Sequence, residues 1–298
     1  MLKQRLATGL VLAAVVLVAF FVPGGGGALF ASLLLTVIVA AAAYECTTLS
    51  AEAGFAPYPR FAMAFAVAFP IVNSLVAAAG YERSLTAWDA VLFLVALAVG
   101  LVMVCRFPRD LQHEFRRLGA SLFVILYVGW TLSFLVKLYY LTGFDNTTGR
   151  LLTLFFVVVV KMSDVGAYVV GSWTAGRPEG NHKLLPQLSP KKSWEGLAGG
   201  MLASVVAALV MTALLHPALQ AEGVFLVSWR LAIATGVLSA LVGLMGDLGE
   251  SALKRSAQAD DSGNLPGLGG ALDVVDSLVL MAPLFYLLVL LIQTYNPS

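Results

Sequence analysis

Long apolar segments alternate with short polar connections along almost the entire chain. A window of about 19 residues, which as a helix crosses the roughly 30 Å hydrocarbon core of a bilayer, finds approximately nine such segments. They lie near residues 6–22, 28–44, 61–79, 88–105, 119–139, 151–172, 196–215, 226–246 and 272–293. The pattern predicts an all-α polytopic integral membrane protein with about nine transmembrane helices.

The composition agrees with this prediction. Of the 298 residues, 59% are hydrophobic and 12% are charged, and the mean hydropathy is +0.88. These values exclude a water-soluble domain of this length, and no segment indicates a nucleic-acid-binding module. Cys46 and Cys105 lie near the ends of apolar segments, so the sequence indicates neither a disulfide framework nor a cysteine metal site.

The basic residues between the apolar segments or near their ends are distributed unevenly between the two sides of the predicted bundle. With the N-terminus on the cytoplasmic side, thirteen lie on that side and three on the other. The thirteen are Lys3, Arg5, Arg60, Arg106, Arg109, Arg116, Arg117, Arg177, Lys183, Lys191, Lys192, Lys254 and Arg255, and the three are Arg83, Arg150 and Arg230. The positive-inside rule therefore predicts a multi-pass protein of the cell (inner) membrane with a cytoplasmic N-terminus.

The polar segment 246–277 joins the last two apolar segments and carries acids at both of its edges. Asp247 and Glu250 lie three residues apart at one edge, and Asp273 and Asp276 lie three residues apart at the other, so each pair shares a helical face. Charge at a membrane boundary is costly unless it binds something. Carboxylates on converging helices suit Mg²⁺, with a second cation left open, whereas no histidine or cysteine cluster favours zinc.

A second polar segment, residues 172–196, carries the cations and hydroxyls that a triphosphate requires. They are Lys183, Ser189, Lys191, Lys192 and Ser193. Glycines and prolines within the segment predict a loop without regular structure. Ser193 is also a candidate N-cap of the following helix. A solvated basic loop is the alternative interpretation.

Charged residues also occur within or beside the apolar segments. Lys161 and Asp164 lie three residues apart, so the two side chains are expected to meet inside the bilayer. Lys137 is expected to extend to the outer surface, and Glu45 is expected to be an interfacial carboxylate in water. The arginine-rich segment 106–117 is either an amphipathic helix against anionic headgroups or a topology anchor.

Two separated blocks of sequence resemble the phosphatidate cytidylyltransferases (CDP-diacylglycerol synthases), which join CTP to phosphatidic acid. The first is GDLGESALKR followed by PGLGGALDVVDS, within 246–277. The second is Asp164 to Tyr168 followed by His182 to Leu184 and by SPKKSWEG from Ser189. The resemblance covers 160–285 strongly. It implies that the phosphate of phosphatidate attacks the α-phosphorus of CTP and expels pyrophosphate.

The resemblance also implies roles for particular residues. Asp247 and Asp276 would be metal ligands, with Asp273 and Asp164 beside them. Candidate substrate-binding residues, from the match and from the polar segments together, are Lys183, Ser189, Lys191, Lys192, Ser193, Glu250, Ser251, Lys254, Arg255, Gly269, Gly270 and Ser277. The expected partners are CTP, phosphatidate or a related anionic lipid and the bilayer, with a homodimer left open. The helices of 1–118 would support a catalytic region at 119–298 within one membrane domain.

The match departs from the family pattern at a few positions. Asp260 precedes Asp261 where the family has lysine, the interval to Pro266 is one residue shorter, Leu268 replaces a histidine and Val274 replaces an arginine. Lys161 stands where the family has an aromatic residue, and we expect it to compensate for the lost cations. Other classes stay open: a CTP-using lipid kinase acting on an isoprenoid alcohol, a membrane transporter and an inactive paralogue.

Overall fold

A computed structural model describes most of the chain. The described residues are 14–15, 18–22, 24–106, 110–141, 147–215, 219–221, 224–225, 227–263, 265 and 269–295. Most of the predicted first span, 6–22, lies outside them, as do Pro266 and Leu268.

Helices form nearly all of the described structure. They are α1 Gly24–Glu52, α2 Pro59–Ala78, α3 Leu85–Cys105, α4 Leu111–Val124, α5 Thr131–Tyr139, α6 Thr147–Ala175, α7 Trp194–Leu215, α8 Trp229–Ser256 and α9 Ala271–Tyr295. A 3₁₀ turn, Glu82–Ser84, precedes α3, and a π-helical stretch, Ile125–Trp130, makes α4 and α5 one continuous rod. Among the described residues, eight helical segments are long and apolar enough to cross a membrane, and they match the predicted spans from 28 to 293. The all-α polytopic class is confirmed.

Two short hairpins interrupt the helices. Strands β1, Lys183–Leu185, and β2, Ser189–Ser193, pair antiparallel with Lys183 opposite Ser193 and Leu185 opposite Ser189. Strands β3, Gln220–Ala221, and β4, Val224–Phe225, form the second hairpin. The prediction that 172–196 lacks regular structure is therefore wrong. Proline is tolerated here because a strand of a two-stranded sheet has one edge that needs no amide donor.

Two compact units make up the chain, Met1–Asn146 with Leu253–Val275 and Thr147–Ala252 with Asp276–Ser298. In the first unit, a cluster of buried aromatic and aliphatic side chains joins α2, α3, α4 and the π-helical stretch. Its members include Phe61, Phe69, Val104, Leu118 and Ile125. Gly129 lies against the backbone of Ala66, where a Cβ would clash, so the π-helical stretch and α2 approach closely.

A buried ion pair also links helices of the first unit. Lys137 is fully buried and pairs with Asp89, and the Asn73 amide donates to the same carboxylate at 3.1 Å. The Lys137 ammonium also lies 3.9 Å from the Phe134 ring centroid. The expectation that Lys137 extends to the surface is wrong, because α3 supplies a counter-ion within the protein.

Residues 111–117 of the arginine-rich segment form the start of α4. The Asp110 side chain accepts from the amide of His113 at 3.2 Å and caps this helix. Glu114 is buried and accepts a hydrogen bond from the Tyr58 hydroxyl. Burial and the Glu114 carboxylate raise the pKa of Tyr58 to about 12, so the hydroxyl stays a donor. The α1–α2 connection is thereby fixed to α4.

In the second unit, small residues allow α6 and α7 to pack closely. A Cβ added to Gly166 would meet Ala203 and the backbone of Gly199. Nearer the start of α6, the Phe156 ring stacks on Phe285 of α9 with ring centroids 5.1 Å apart. These contacts set the positions of α6 and α9, which carry polar residues of the candidate site.

Candidate active site

Three carboxylates from α8 and α9 converge in the second unit. Asp247, Glu250 and Asp276 each offer an oxygen atom within 4.8 Å of the others. Asp247 is half-buried, whereas Glu250 and Asp276 are buried, with exposed fractions of 1% and 8%. Three acids so close and so poorly hydrated repel one another unless a cation compensates them. Their spacing and oxygen chemistry fit a divalent cation such as Mg²⁺.

Gly246 explains how α8 approaches α9 closely enough for this grouping. A Cβ at Gly246 would overlap the carbonyl oxygen of Asp276. One turn earlier, a Cβ at Gly243 would meet Ser277 at 3.5 Å, an ordinary van der Waals distance. Of these two glycines, the one directly before Asp247 is therefore the one that the close approach requires.

Lys161, Asp164 and Ser277 form a hydrogen-bonded triad beside the carboxylates. Lys161 Nζ donates to Asp164 Oδ2 at 2.9 Å and to Ser277 Oγ at 2.8 Å. Ser277 Oγ in turn donates to Asp164 Oδ2 at 2.9 Å. Asp276 and Asp247 are also close enough to act on the charge of Lys161. The predicted pairing of Lys161 with Asp164 is confirmed.

Lys192 supplies a second cation from strand β2. Its ammonium pairs with the Asp247 carboxylate. The neighbouring Lys191 is exposed, as is Lys183 on the paired strand. Among these three candidate lysines, the structure brings Lys192 to the carboxylates.

The candidate serines of this unit have different partners. Ser193 is buried and its Oγ accepts from the amide of Gly196 at 3.0 Å, which confirms the predicted N-cap of α7. Ser251 Oγ donates weakly to Asp247 Oδ1 at 3.4 Å. Ser189 is half-buried at the start of β2. Ser251 and Ser277 therefore lie next to acidic candidates, and Ser193 supports the helix start.

The first unit holds Asp273, whose carboxylate caps its own helix. Asp273 Oδ2 accepts from the amides of Ser262 and Gly270, both at 2.8 Å, and lies 2.7 Å from Ser262 Oγ. Its Oδ1 pairs with Lys254 at 2.5 Å. The Gly270 amide, a candidate phosphate donor, thus serves Asp273. This is the pattern of a capping box, in which an acid at N3 binds the N-cap amide.

Glu45 of α1 joins the same cluster, which the sequence did not indicate. Glu45 Oε1 accepts from the amide of Ala271 at 2.9 Å, and Oε2 accepts from the amide of Leu272 at 2.8 Å. The expectation of a carboxylate surrounded by water is wrong. A lone acid at the end of an apolar segment was the only signal in the sequence.

The divergent positions of the C-terminal segment are described in part. Asp260 is 96% exposed and pairs with Arg255 at 3.2 Å. Gly269 has a φ of +83°, a backbone conformation that favours glycine. Val274 is half-buried on α9, and Leu268 lies outside the described residues.

A sequence profile described as the cytidylyltransferase family matches residues 3–292. The chain belongs to the cytidylyltransferase family. The match spans both units and so includes all the candidate residues described above.

Individual cytidylyltransferase family relatives match over shorter lengths. Phosphatidate cytidylyltransferase of Staphylococcus epidermidis is 42% identical over 142 residues, 47% of this chain and 49% of its own. The enzyme of the same name from Chlamydia muridarum is 31% identical over 179 residues, 59% of this chain and 55% of its own. The uncharacterized protein YnbB of Escherichia coli is 37% identical over 139 residues, 46% and 42% of the two chains. The chain spans about half the length of these curated relatives.

The arrangement in the second unit has groups that can bind a metal ion and phosphate, which suits a member of the cytidylyltransferase family. Three carboxylates can hold a hard divalent ion, and Lys161 and Lys192 can neutralise phosphate oxygens beside it. Glu250, assigned from sequence to the substrate, is a member of the acidic group. The metal role predicted for Asp273 stays a prediction, and its observed contacts are those of a helix cap.

Proposed function

We propose that this protein transfers the cytidylyl group of CTP to phosphatidate, giving CDP-diacylglycerol and pyrophosphate. A phosphate oxygen of the lipid attacks the α-phosphorus of CTP and forms a new P–O bond. The bond from the α-phosphorus to the oxygen that bridges to the β-phosphate breaks, and that oxygen leaves with its electron pair as part of pyrophosphate. Family membership and the names of two relatives support this reaction.

The observation that carries the proposal is the convergence of Asp247, Glu250 and Asp276 beside Lys161 and Lys192. Transfer between two phosphate groups needs no covalent nucleophile from the protein, because the lipid phosphate is itself the nucleophile. It needs fixed positions and compensation of a large negative charge. This cluster provides two lysines that can compensate negative charge and three carboxylates that can hold a metal ion in a fixed position.

The three carboxylates would hold Mg²⁺. When bound, Mg²⁺ supplies positive charge that neutralises phosphate oxygens and orients the nucleotide. Lys192 would bind a phosphate of CTP once its partner Asp247 turns to the metal. Lys161, fixed by Asp164 and Ser277, would keep a positive charge beside the carboxylates whether or not nucleotide is present.

Within the first unit, we propose Lys254 and Arg255 as phosphate-binding cations. Lys254 is mostly buried and held by Asp273, so its ammonium has a defined position. Arg255 pairs with a highly exposed aspartate. Such a surface ion pair contributes little free energy, so Arg255 can readily leave it to bind a phosphate. The helices that are long enough to cross a bilayer would give the lipid acceptor access from the membrane, which we propose to be the inner membrane.

The decisive experiment identifies both products. Purified protein in detergent or nanodiscs is incubated with Mg²⁺, phosphatidate and CTP labelled at the α-phosphorus. The proposal predicts label in CDP-diacylglycerol and stoichiometric release of pyrophosphate. Release of CDP with a phosphorylated isoprenoid alcohol would instead establish the lipid kinase. Absence of turnover with either acceptor, in a preparation that remains folded, would contradict an enzymatic role.

A further inference from the structure

Glu45 makes long-range contacts that the proposed reaction does not yet use. Both of its oxygens accept hydrogen bonds from the first turn of α9, through the amides of Ala271 and Leu272. These amides belong to positions N1 and N2 of the helix and have no partner within it. The positive end of the helix dipole also favours a carboxylate at this place. Glu45 therefore fixes the start of α9 to α1.

The contacts continue from Glu45 to a lysine. Ser262 Oγ lies 2.8 Å from Glu45 Oε2 and 2.7 Å from Asp273 Oδ2, so its proton serves one carboxylate at a time. Asp273 Oδ1 then pairs with Lys254. Glu45, Ser262, Asp273 and Lys254 form one connected chain of polar contacts, which we call the Glu45 relay.

The backbone around Glu45 is shaped to receive its carboxylate. A Cβ on Gly263 would overlap Glu45 Oε1, and a Cβ on Gly270 would overlap Glu45 Oε2. Neither glycine has a positive φ, so their value here is the space that they leave. The segment leaves space for a side chain that lies more than 200 residues away in the sequence. The contact with Glu45 is therefore a specific feature of the fold.

We propose that Glu45 is a positioning residue that sets the location of the Lys254 ammonium through the Glu45 relay. This inference rests on the proposed function, in which Lys254 binds a phosphate of CTP. In Glu45→Gln one of the two helix amides loses its acceptor oxygen, and Ser262 Oγ keeps Asp273 as its acceptor. Asp273 then accepts the proton that Ser262 had shared with Glu45. We expect the Asp273 carboxylate to shift and the Lys254 ammonium to move with it. Because Lys254 is the group that we propose to bind the phosphate, we expect the main effect on nucleotide affinity.

The test combines kinetics with hydrogen exchange on the full-length protein. In Glu45→Gln we expect the KM for CTP to rise about tenfold while kcat changes less. Amide exchange should accelerate in peptides covering 260–273. Glu45→Asp keeps the charge and should recover part of the affinity. Glu52→Gln removes an exposed acid from the same helix and is the matched control, with no change in either readout.

Each outcome decides the proposal. An unchanged KM for CTP in Glu45→Gln overturns it, even if exchange accelerates, because Glu45 would then be a structural clamp alone. If Glu45→Gln does not accumulate in the membrane, Ser262→Ala breaks the relay at its centre and should raise the KM in the same direction, and a wild-type KM there overturns the proposal. If the wild type neither binds nor turns over CTP, the proposed function fails and this inference with it. The exchange rates still report whether the Glu45 contact exists.

Discussion

The ammonium of Lys192 pairs with the carboxylate of Asp247. The sequence predicts that the lysine binds a phosphate group and that the aspartate binds a metal ion. Each group is therefore the counter-ion of the other. A divalent ion bound at Asp247 would compete with Lys192 for the same oxygens, and the released ammonium would become available to a phosphate. Metal and nucleotide binding are thus expected to be coupled through this pair.

Replacing Lys192 tests the exchange of partners. In Lys192→Ala we expect CTP affinity to fall by roughly ten- to a hundredfold, the value of about 1.5–3 kcal/mol for a charge-assisted hydrogen bond. Affinity for divalent ions in the absence of nucleotide should not fall, because Asp247 loses a competitor. Titration calorimetry measures both quantities. Arg177→Ala, which removes an exposed cation from the same polar segment, is the control. Equal CTP affinity in both variants would show that Lys192 serves Asp247 alone.

Helix packing at Gly246 gives a prediction with an internal control. Alanine is favoured over glycine in a helix by up to about 1 kcal/mol, so both Gly243→Ala and Gly246→Ala gain in propensity. Gly246→Ala also overlaps the carbonyl of Asp276 and should lose about 1–3 kcal/mol through overpacking, together with most activity. Gly243→Ala should keep both, since its Cβ has ordinary contacts. Thermal unfolding and turnover are the measurements, and a fully active Gly246→Ala would refute the close approach.

Substitutions of Lys161 and Asp260 test whether Lys161 compensates for the lost cations. Lys161→Met leaves Asp164 and Ser277 without their cation and removes positive charge beside Asp247 and Asp276. We expect activity to fall by more than the loss of folded protein explains. Asp260→Lys changes a 96% exposed side chain and should be neutral or improve the use of CTP. Steady-state kinetics normalised to folded protein decide the point. A fully active Lys161→Met together with an inactive Asp260→Lys would reject compensation.

Membrane orientation gives a further prediction. Cys105 is exposed and is replaced first, whereas Cys46 is buried. In that background, Lys191→Cys on the first hairpin should react with an impermeant maleimide only from the cytoplasmic side. Arg83→Cys, before α3, should react only from the opposite side. Labelling of Lys191→Cys from outside intact cells would reverse the orientation.

Hydropathy predicted the helices well because each span needs enough apolar length to cross the bilayer, a local property of the sequence. Spacing along one helix likewise predicted the contact of Lys161 with Asp164. The contacts of Glu45 were not predictable, since its partners lie 217 to 227 residues away in the sequence. Glu250 was assigned to the substrate because spacing alone does not show which carboxylates of two helices converge. The hairpin was missed because its prolines, and the glycines on either side of it, also mark irregular loops.

Divalent ion binding tests the acidic group most directly, because it needs no assumption about the lipid acceptor. Mn²⁺ substitutes for Mg²⁺ and is followed by electron paramagnetic resonance, with Mg²⁺ as competitor. We predict a Mn²⁺ site that Mg²⁺ displaces and that weakens at least about tenfold in Asp247→Asn and Asp276→Asn, since each variant removes an anionic ligand. Asp260→Asn, a highly exposed acid, should bind as the wild type does. Unchanged Mn²⁺ affinity in both folded variants would contradict a metal site at Asp247, Glu250 and Asp276.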